Sequence, residues 1–438
     1  MADLSHRQAK AKIKIVGKDG KPLANTKVTV NQTKHEFLFG CGAFEALPYT
    51  NGPAVHNGNG SITTSSKLAG YEDRSIMEDR MQKWLNLFNY GTLPFYWGGF
   101  EPEESQPHTQ QLMAAAQFLK SKGVTIKGHP LCWHTSCVPW LMNYDNKTIL
   151  QKQLQRIERE VSQFKGLIDM WDVINEVVIM PIYNKYDNAI TRICKELGRV
   201  GLVRKVFDQA FKSNPDGTFL INDFNLSTNY EILIDGCLNA GAQINTIGLQ
   251  SHQHQGVWGK EKQDEILSRY EHFGLPIHFT ENTIVAGPLV APEITDLQDA
   301  HYDDDAATPE LEEKQADDLE QMYRNLFENH PLVTAITNWD FGDGAWLNAP
   351  SGLIRKDHTL KPAYHRLHKL IKEEWHTRLD CTTDANGMIE IQGFKGTYEV
   401  FRQDDASKPT AATSCNPTAS FTLSSAGSRE NCIKVELS

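Results

Sequence analysis

Residues 167–176 read Leu-Ile-Asp-Met-Trp-Asp-Val-Ile-Asn-Glu. The apolar run ends at Ile174 and is followed at once by an amide and a carboxylate, Asn175 and Glu176. A second stretch, 276–281, has the same form, Pro-Ile-His-Phe-Thr and then Glu281. Short apolar runs of this kind suit strands buried on both faces, as in a parallel sheet. Six more such runs, near 37–44, 89–96, 124–129, 218–222, 245–250 and 333–339, complete a set of eight. Between them lie helical patterns with apolar residues three and four apart, for instance at 76–88, 112–122, 149–164 and 319–327. Eight alternations predict an α/β fold, a (β/α)8 TIM barrel, because a doubly wound sheet usually stops at about five or six strands.

The barrel is placed at 37–376. The ends are β-like: residues 11–30 alternate around Asp19-Gly20 as a hairpin would, with Ile13, Ile15, Val28 and Val30 sharing faces. Runs at 388–391, 397–401 and 432–437 lie beyond the barrel, with a turn signal at Asn386-Gly387. Too small to bury a core alone, the segments 1–36 and 377–438 are expected to join in one small accessory β-sandwich. Two inserts follow barrel strands, a Gly/Asn/Ser-rich one at 50–70 and another at 286–310 that includes Asp303, Asp304 and Asp305. The three acids lack the ligand spacing of a calcium loop and are read as solvated charge.

The 438 residues carry 44 Lys+Arg against 55 Asp+Glu, a net charge of −11, and 40% of them are apolar, enough for a large core. This balance, with no basic stripe, excludes nucleic acid as the main partner. No apolar run approaches the roughly 20 residues of a membrane helix, so no membrane partner is expected. The amino terminus shows no signal peptide, so the chain is either cytoplasmic or secreted with a signal already removed. Its eight cysteines show no paired CxxC spacing and are expected to be mostly small buried residues.

In a barrel the chemistry belongs at the carboxyl ends of the strands. Those ends carry His129, Asn175-Glu176, Asn222-Asp223, Gln250 with Ser251 and His252, Glu281, and Trp339. Two carboxylates on one rim, among amides and aromatic rings, suit glycoside hydrolysis, in which one acid is protonated and the other ionised. Trp133, Trp171, Trp339 and Trp346 are candidate walls and sugar-stacking platforms, and Gln250 and His252 could hold a carboxylate or hydroxyls. The pair His252-x-His254 is a weak metal signal, and neither metal nor cofactor is expected.

Several ordered segments then become recognisable: Gly128-His129-Pro130-Leu131-Cys132-Trp133-His134, Trp171-Asp172-Val173-Ile174-Asn175-Glu176, Ile221-Asn222-Asp223-Phe224-Asn225, Gly248-Leu249-Gln250-Ser251-His252, Thr280-Glu281 and Lys361-Pro362-Ala363-Tyr364. In this order they resemble glycoside hydrolase family 10, best known for endo-1,4-β-xylanases, over roughly 37–375. The resemblance implies a retaining double displacement with Glu176 as acid/base and Glu281 as nucleophile. It further implies that Asn175 bonds the sugar 2-hydroxyl, that His252 holds Glu281 ionised, and that His129, Trp133, Gln250, Trp339 and Trp346 line the glycone side.

The chain departs from the family where Thr92-Leu93-Pro94-Phe95-Tyr96-Trp97 replaces an E-N-x-M-K-W segment. Thr92, Leu93 and Tyr96 are expected to make that subsite less polar. The segment Trp339–Trp346 is also about one residue short. The expected partner is therefore a xylan-type polysaccharide or oligosaccharide, cleaved by a retaining β-glycoside hydrolase. An exo-acting or specialised β-glycosidase and a non-catalytic carbohydrate-binding protein are the alternatives; the oligomeric state is left open.

Overall fold

A computed structural model describes residues 3–52, 73–403, 420–424 and 433–437. The insert expected at 50–70 therefore lies largely outside the described residues, as do Cys415 and Cys432. The chain opens with β1 (Gln8–Gly17) and β2 (Lys27–His35). Eight parallel strands follow: β3 (Leu38–Gly42), β4 (Tyr90–Pro94), β5 (Thr125–His129), β6 (Met170–Asn175), β7 (Thr218–Asp223), β8 (Thr246–His252), β9 (Ile277–Thr283) and β10 (Val333–Asn338). They close into a barrel in the order β10-β3-β4-β5-β6-β7-β8-β9. Five strands complete the set, β11 (Arg378–Thr382), β12 (Met388–Phe394), β13 (Gly396–Arg402), β14 (Ser420–Leu423) and β15 (Ile433–Leu437).

The barrel strands form where the apolar runs lie because both of their faces are covered. Every residue of β4 and of β9 is buried, which explains near-continuous apolar runs instead of alternation. Helices begin at polar caps: the side chains of Asp145, Asn188 and Ser227 accept from the backbone N–H of Thr148, Thr191 and Asn229. Helix Asn146–Gln163 buries Ile149, Ile157 and Val161, and with them Gln153 and Arg156. These two polar residues fasten the loop after β5: Gln153 Nε2 donates to Leu131 O at 3.0 Å, and the Arg156 guanidinium donates to Leu131 O and Phe95 O. Among the described residues six cysteines are free; Cys41, Cys132, Cys194 and Cys237 are buried, and Cys137 and Cys381 are partly covered.

The chain divides into two compact units, Phe39–Leu367 and a second made of Met1–Leu38 with His368–Ser438. The boundaries expected at 36/37 and 376/377 move to 38/39 and 367/368. Trp375 belongs with the ends: its carbonyl lies 3.1 Å from His35 Nε2. The second unit holds two sheets, β12-β1-β15 and β11-β2-β13-β14. Ile13, Ile15, Val28, Val30, Ile389, Ile391, Tyr398 and Val400 form its apolar core.

The hairpin expected across 11–30 does not form. The chain does turn at Asp19-Gly20, where Gly17 N–H donates to Lys21 O at 2.9 Å and Gly20 has φ 74°. However, β1 and β2 belong to different sheets. Both strands carry apolar residues on one face, and each buries that face against the other sheet, with neither pairing edge to edge with the other. The triple acid is solvated as expected, with Asp304 exposed beside Lys356 at 2.6 Å.

Candidate active site

Strands β5 to β9 each deliver polar residues to one rim. His129 ends β5, Asn175 ends β6 with Glu176 directly after it, Asp223 ends β7, and His252 ends β8. Glu281 and Gln250 lie inside β9 and β8 instead of following them, because these strands run three and two residues further than their apolar runs. The β8–β9 register slips between Leu249 and Gln250, so that Leu249 faces Phe279 while Gln250 faces Glu281. Such a slip re-aims side chains at a barrel rim; here it stands at the Glu281 position. Glu176 takes φ 57°, a left-handed backbone rarely adopted by a non-glycine residue. Its N–H donates to Asn222 O at 2.8 Å, which fixes it against β7.

The rim encloses a cleft of about 950 Å³. Tyr96, His129, Trp133, Asn175, Glu176, Gln250, His252, Glu281, Trp339 and Trp346 all line it, so the structure brings these ten residues together. Three expectations fail. Trp171 is fully buried below the cleft, its ring 4.8 Å from that of Phe95. Thr92 and Leu93 are fully buried and do not line it. Of the three departures from the family's second-strand segment, only Tyr96 reaches the cleft, because β4 ends at Pro94 and the chain turns there into helix Trp97–Phe100.

The two glutamates sit in opposite environments. Trp133 Nε1 donates to Glu176 Oε2 at 2.8 Å and Gln250 Nε2 to Glu176 Oε1 at 3.3 Å. Burial nevertheless pushes the Glu176 carboxyl up to about 8, helped by the charges of Glu281 and Asp223. Asp223 is itself pushed up to about 7 by burial, although it accepts from Val178 N–H at 3.0 Å and Asn225 N–H at 2.9 Å.

Burial would also raise Glu281, but His129, the hydrogen bond from His252 and Lys127 outweigh it and hold this carboxyl below its ordinary value. Asn222 Nδ2 donates to Glu281 Oε1 at 2.8 Å, and His252 Nε2 lies 3.1 Å from Oε2. Thr283 Oγ1 stands 2.9 Å from His252 Nδ1 and fixes the ring. Asn222 also bonds Asn175 Oδ1 at 2.7 Å and accepts from Thr280 Oγ1 at 2.6 Å, so one amide ties β6, β7 and β9 together. Asn222, placed at a strand end by the sequence, does not line the cleft itself but bonds two residues that do.

Sequence reasoning missed the layer beneath. Asp172, fully buried, has Lys127 Nζ and His129 Nδ1 each 2.6 Å from the same oxygen, Oδ2. The opposite His129 nitrogen lies 3.9 Å from Glu281 Oε1. Also missed were Glu45, gripped by the buried Arg80, and Asp340, both of which line the cleft. Asp340 directly follows Trp339 at a strand end, a position that the strand-end rule could have found. The outer rim carries Lys185, whose Nζ lies 2.7 Å from Asp296 Oδ2 and 2.8 Å from Asp299 Oδ1. This joins the loop after β6 to the loop after β9. Among the described residues no group of three or more His, Cys, Asp or Glu could hold a metal ion.

Chemically, the arrangement offers one protonated and one ionised carboxyl facing a common cleft walled by Trp133, Trp339 and Trp346. The sequence profile described as glycosyl hydrolase family 10 matches residues 93–370, more than half of the chain. The anti-sigma-I factor RsgI6 of Acetivibrio thermocellus is 24% identical over 402 residues, 90% of this chain, which spans 45% of that relative's length. Endo-1,4-beta-xylanase B of Paenibacillus barcinonensis is 25% identical over 57% of this chain and 76% of its own. In fold, xylanase 10B of Thermotoga petrophila, solved with xylobiose, superposes with a TM-score of 0.59 at 19% identity, covering 77% of this chain and 95% of its own.

Proposed function

Because the chain belongs to glycosyl hydrolase family 10, we propose that it is a retaining β-glycoside hydrolase, endo-1,4-β-xylanase-like, that cleaves xylan or xylo-oligosaccharides. The observation that carries this reading is the opposite displacement of two carboxyls in one cleft, Glu176 up to about 8 and Glu281 below its ordinary value. At neutral pH the first holds a proton and the second a charge, the states that double displacement requires.

In the first step a Glu281 oxygen attacks the anomeric carbon as the bond to the leaving oxygen breaks, and the Glu176 proton passes to that oxygen. In the second step Glu176, now ionised, takes a proton from water. The water oxygen then displaces Glu281 from the sugar, and the anomeric configuration is retained. Asn175, held by Asn222 and Gln250, would present its amide to the 2-hydroxyl, while the tryptophans stack on sugar rings. Asn222 and His252 keep Glu281 charged and in place before attack.

The test is Glu176→Gln and Glu281→Gln on an aryl β-xyloside. Each should lower kcat by at least about 10²-fold with the fold intact; near wild-type rates in both would refute the proposal. A second reading, an exo-acting or specialised β-glycosidase, is favoured by two observations. Thr92 and Leu93 are packed away from the cleft, and Lys185 with Asp296 and Asp299 lines its rim. Products of xylohexaose decide between the two: xylobiose and xylotriose support endo cleavage, xylose alone exo cleavage.

A further inference from the structure

We infer that Asp340 is a specificity-determining residue, a carboxyl whose open oxygen takes a hydroxyl of the sugar bound beside Trp339. This rests on the proposed glycosidase reading for the class of ligand.

Asp340 follows β10 and lines the cleft with Trp339, Phe341 and Tyr96, yet is only 3% exposed. Its backbone is pinned, since Asn338 Nδ2 donates to Asp340 O at 2.6 Å. One carboxyl oxygen, Oδ2, accepts from Ser351 Oγ at 2.6 Å; among the described residues no side chain or backbone N–H bonds Oδ1. The nearby cation is already committed, because Lys361 Nζ lies 3.0 Å from Asp343 Oδ1, and Asp343 also takes Gly352 N–H. Asp340 is left with no directly bonded cation and one bonded oxygen; burial pushes it up to about 7, although the more distant Lys361 charge pulls the other way.

Oδ1 is unbonded but not sealed in the interior, so whatever fills the cleft, water or ligand, satisfies it. Here the missing donor would come from the cleft. The neighbours identify its class: Trp339 meets His129 at 5.4 Å and Phe44 at 5.3 Å, both edge-on, and so leaves an indole wall fit for a neutral ring. Tyr96, whose phenol feels the charges of Glu281, Glu176, Asp172 and Asp340, faces the same space. With Thr92 and Leu93 withdrawn, Asp340 adds a polar contact beside Trp339 and Tyr96.

The experiment measures xylobiose affinity by calorimetry, together with KM, kcat and the ligand-free Tm, for the wild-type chain, Asp340→Ala and Asp340→Asn. The expected result is about tenfold weaker binding in Asp340→Ala, about 1.4 kcal/mol, with the kinetic loss falling on KM. Asp340→Asn, which keeps an acceptor, should recover most of it. The ligand-free Tm of both variants should be unchanged or higher, since an under-bonded buried acid is removed; a merely structural carboxyl would lower Tm and leave affinity alone. Unchanged affinity in Asp340→Ala, or no measurable xylobiose binding by the wild-type chain, overturns the inference. Failure of the glycosidase reading shows separately, as wild-type turnover in Glu176→Gln and Glu281→Gln, because binding needs no turnover.

Discussion

Replacing His252 with alanine should move the acid limb of the pH–rate profile upward while leaving the alkaline limb in place. His252 Nε2 stands 3.1 Å from Glu281 Oε2, and because an ionised carboxylate can only accept, the Nε2 hydrogen faces it, with Thr283 Oγ1 at 2.9 Å on the other nitrogen. Burial pushes Glu281 up; His129 and the His252 bond bring it below its ordinary value. A hydrogen bond to an ionised group is worth about 1.5–3 kcal/mol. At 1.36 kcal/mol per pH unit, losing it raises the acid limb by about one to two units.

The sign follows from the role proposed for Glu281, which must be ionised to attack. Raising its pKa therefore removes activity at a higher pH as the solution is acidified. The alkaline limb, set by protonated Glu176 near 8, should stay where it is. Asn222 still holds the other oxygen at 2.8 Å, so the carboxylate remains positioned. The assay is kcat/KM on an aryl β-xyloside across the acid and alkaline range, with His252→Gln as a variant that retains a donor and should move less. An acid limb unmoved in His252→Ala, or an alkaline limb that moves instead, refutes the reasoning.

Glu176→Gln should stabilise the fold in a pH-dependent way. Its folded pKa lies above the unfolded one, so the contribution of Glu176 is intact in acid and is lost as pH rises through about 8. In chemical denaturation the variant should match wild type in acid, pull ahead between about pH 4.5 and 8 at up to about 1.4 kcal/mol per unit, and exceed it by several kcal/mol at alkaline pH; parallel curves would contradict this. Arg80→Met should cost about 3–5 kcal/mol, because it leaves the buried Glu45 carboxylate unpaired. Adding Glu45→Gln should recover much of that loss, and the urea midpoint of the double variant reads it. Gly128→Ala should cost about 3 kcal/mol in the same measurement, since the new Cβ would stand 2.2 Å from the Trp171 ring.

The barrel was legible because burial on both faces turns a parallel strand into a compact apolar run; the stretch 245–250, for example, overlaps β8, Thr246–His252, in all but its first residue. Helix Pro309–Asn329 was read only as 319–327, because its first half is dense in Glu and Asp and buries little besides Glu312, Gln315 and Ala316. The β1–β2 hairpin was misread because alternation reports which face is buried, not which strand lies alongside. At the site, residues directly behind strands were recoverable from sequence. The register slip beside Glu281 and the buried Lys127–Asp172–His129 group were not, since each depends on how neighbouring strands align.

The sandwich built from both ends has a consequence for the order in which the protein can be made. β1 and β2 are synthesised first, but the strands that pair with them, β11, β12, β13 and β15, are encoded beyond residue 377. At a ribosomal rate of about 5–20 residues per second, Ile13, Ile15, Val28 and Val30 wait on the order of tens of seconds for cover. During that interval two apolar strands with open edges trail from a barrel still being completed. The lysines at 10, 12 and 14, which alternate with the buried residues of β1, place charge along that edge while it is unpaired. A nascent chain stalled before residue 377 should therefore carry an amino-terminal segment open to protease, and the completed chain should not.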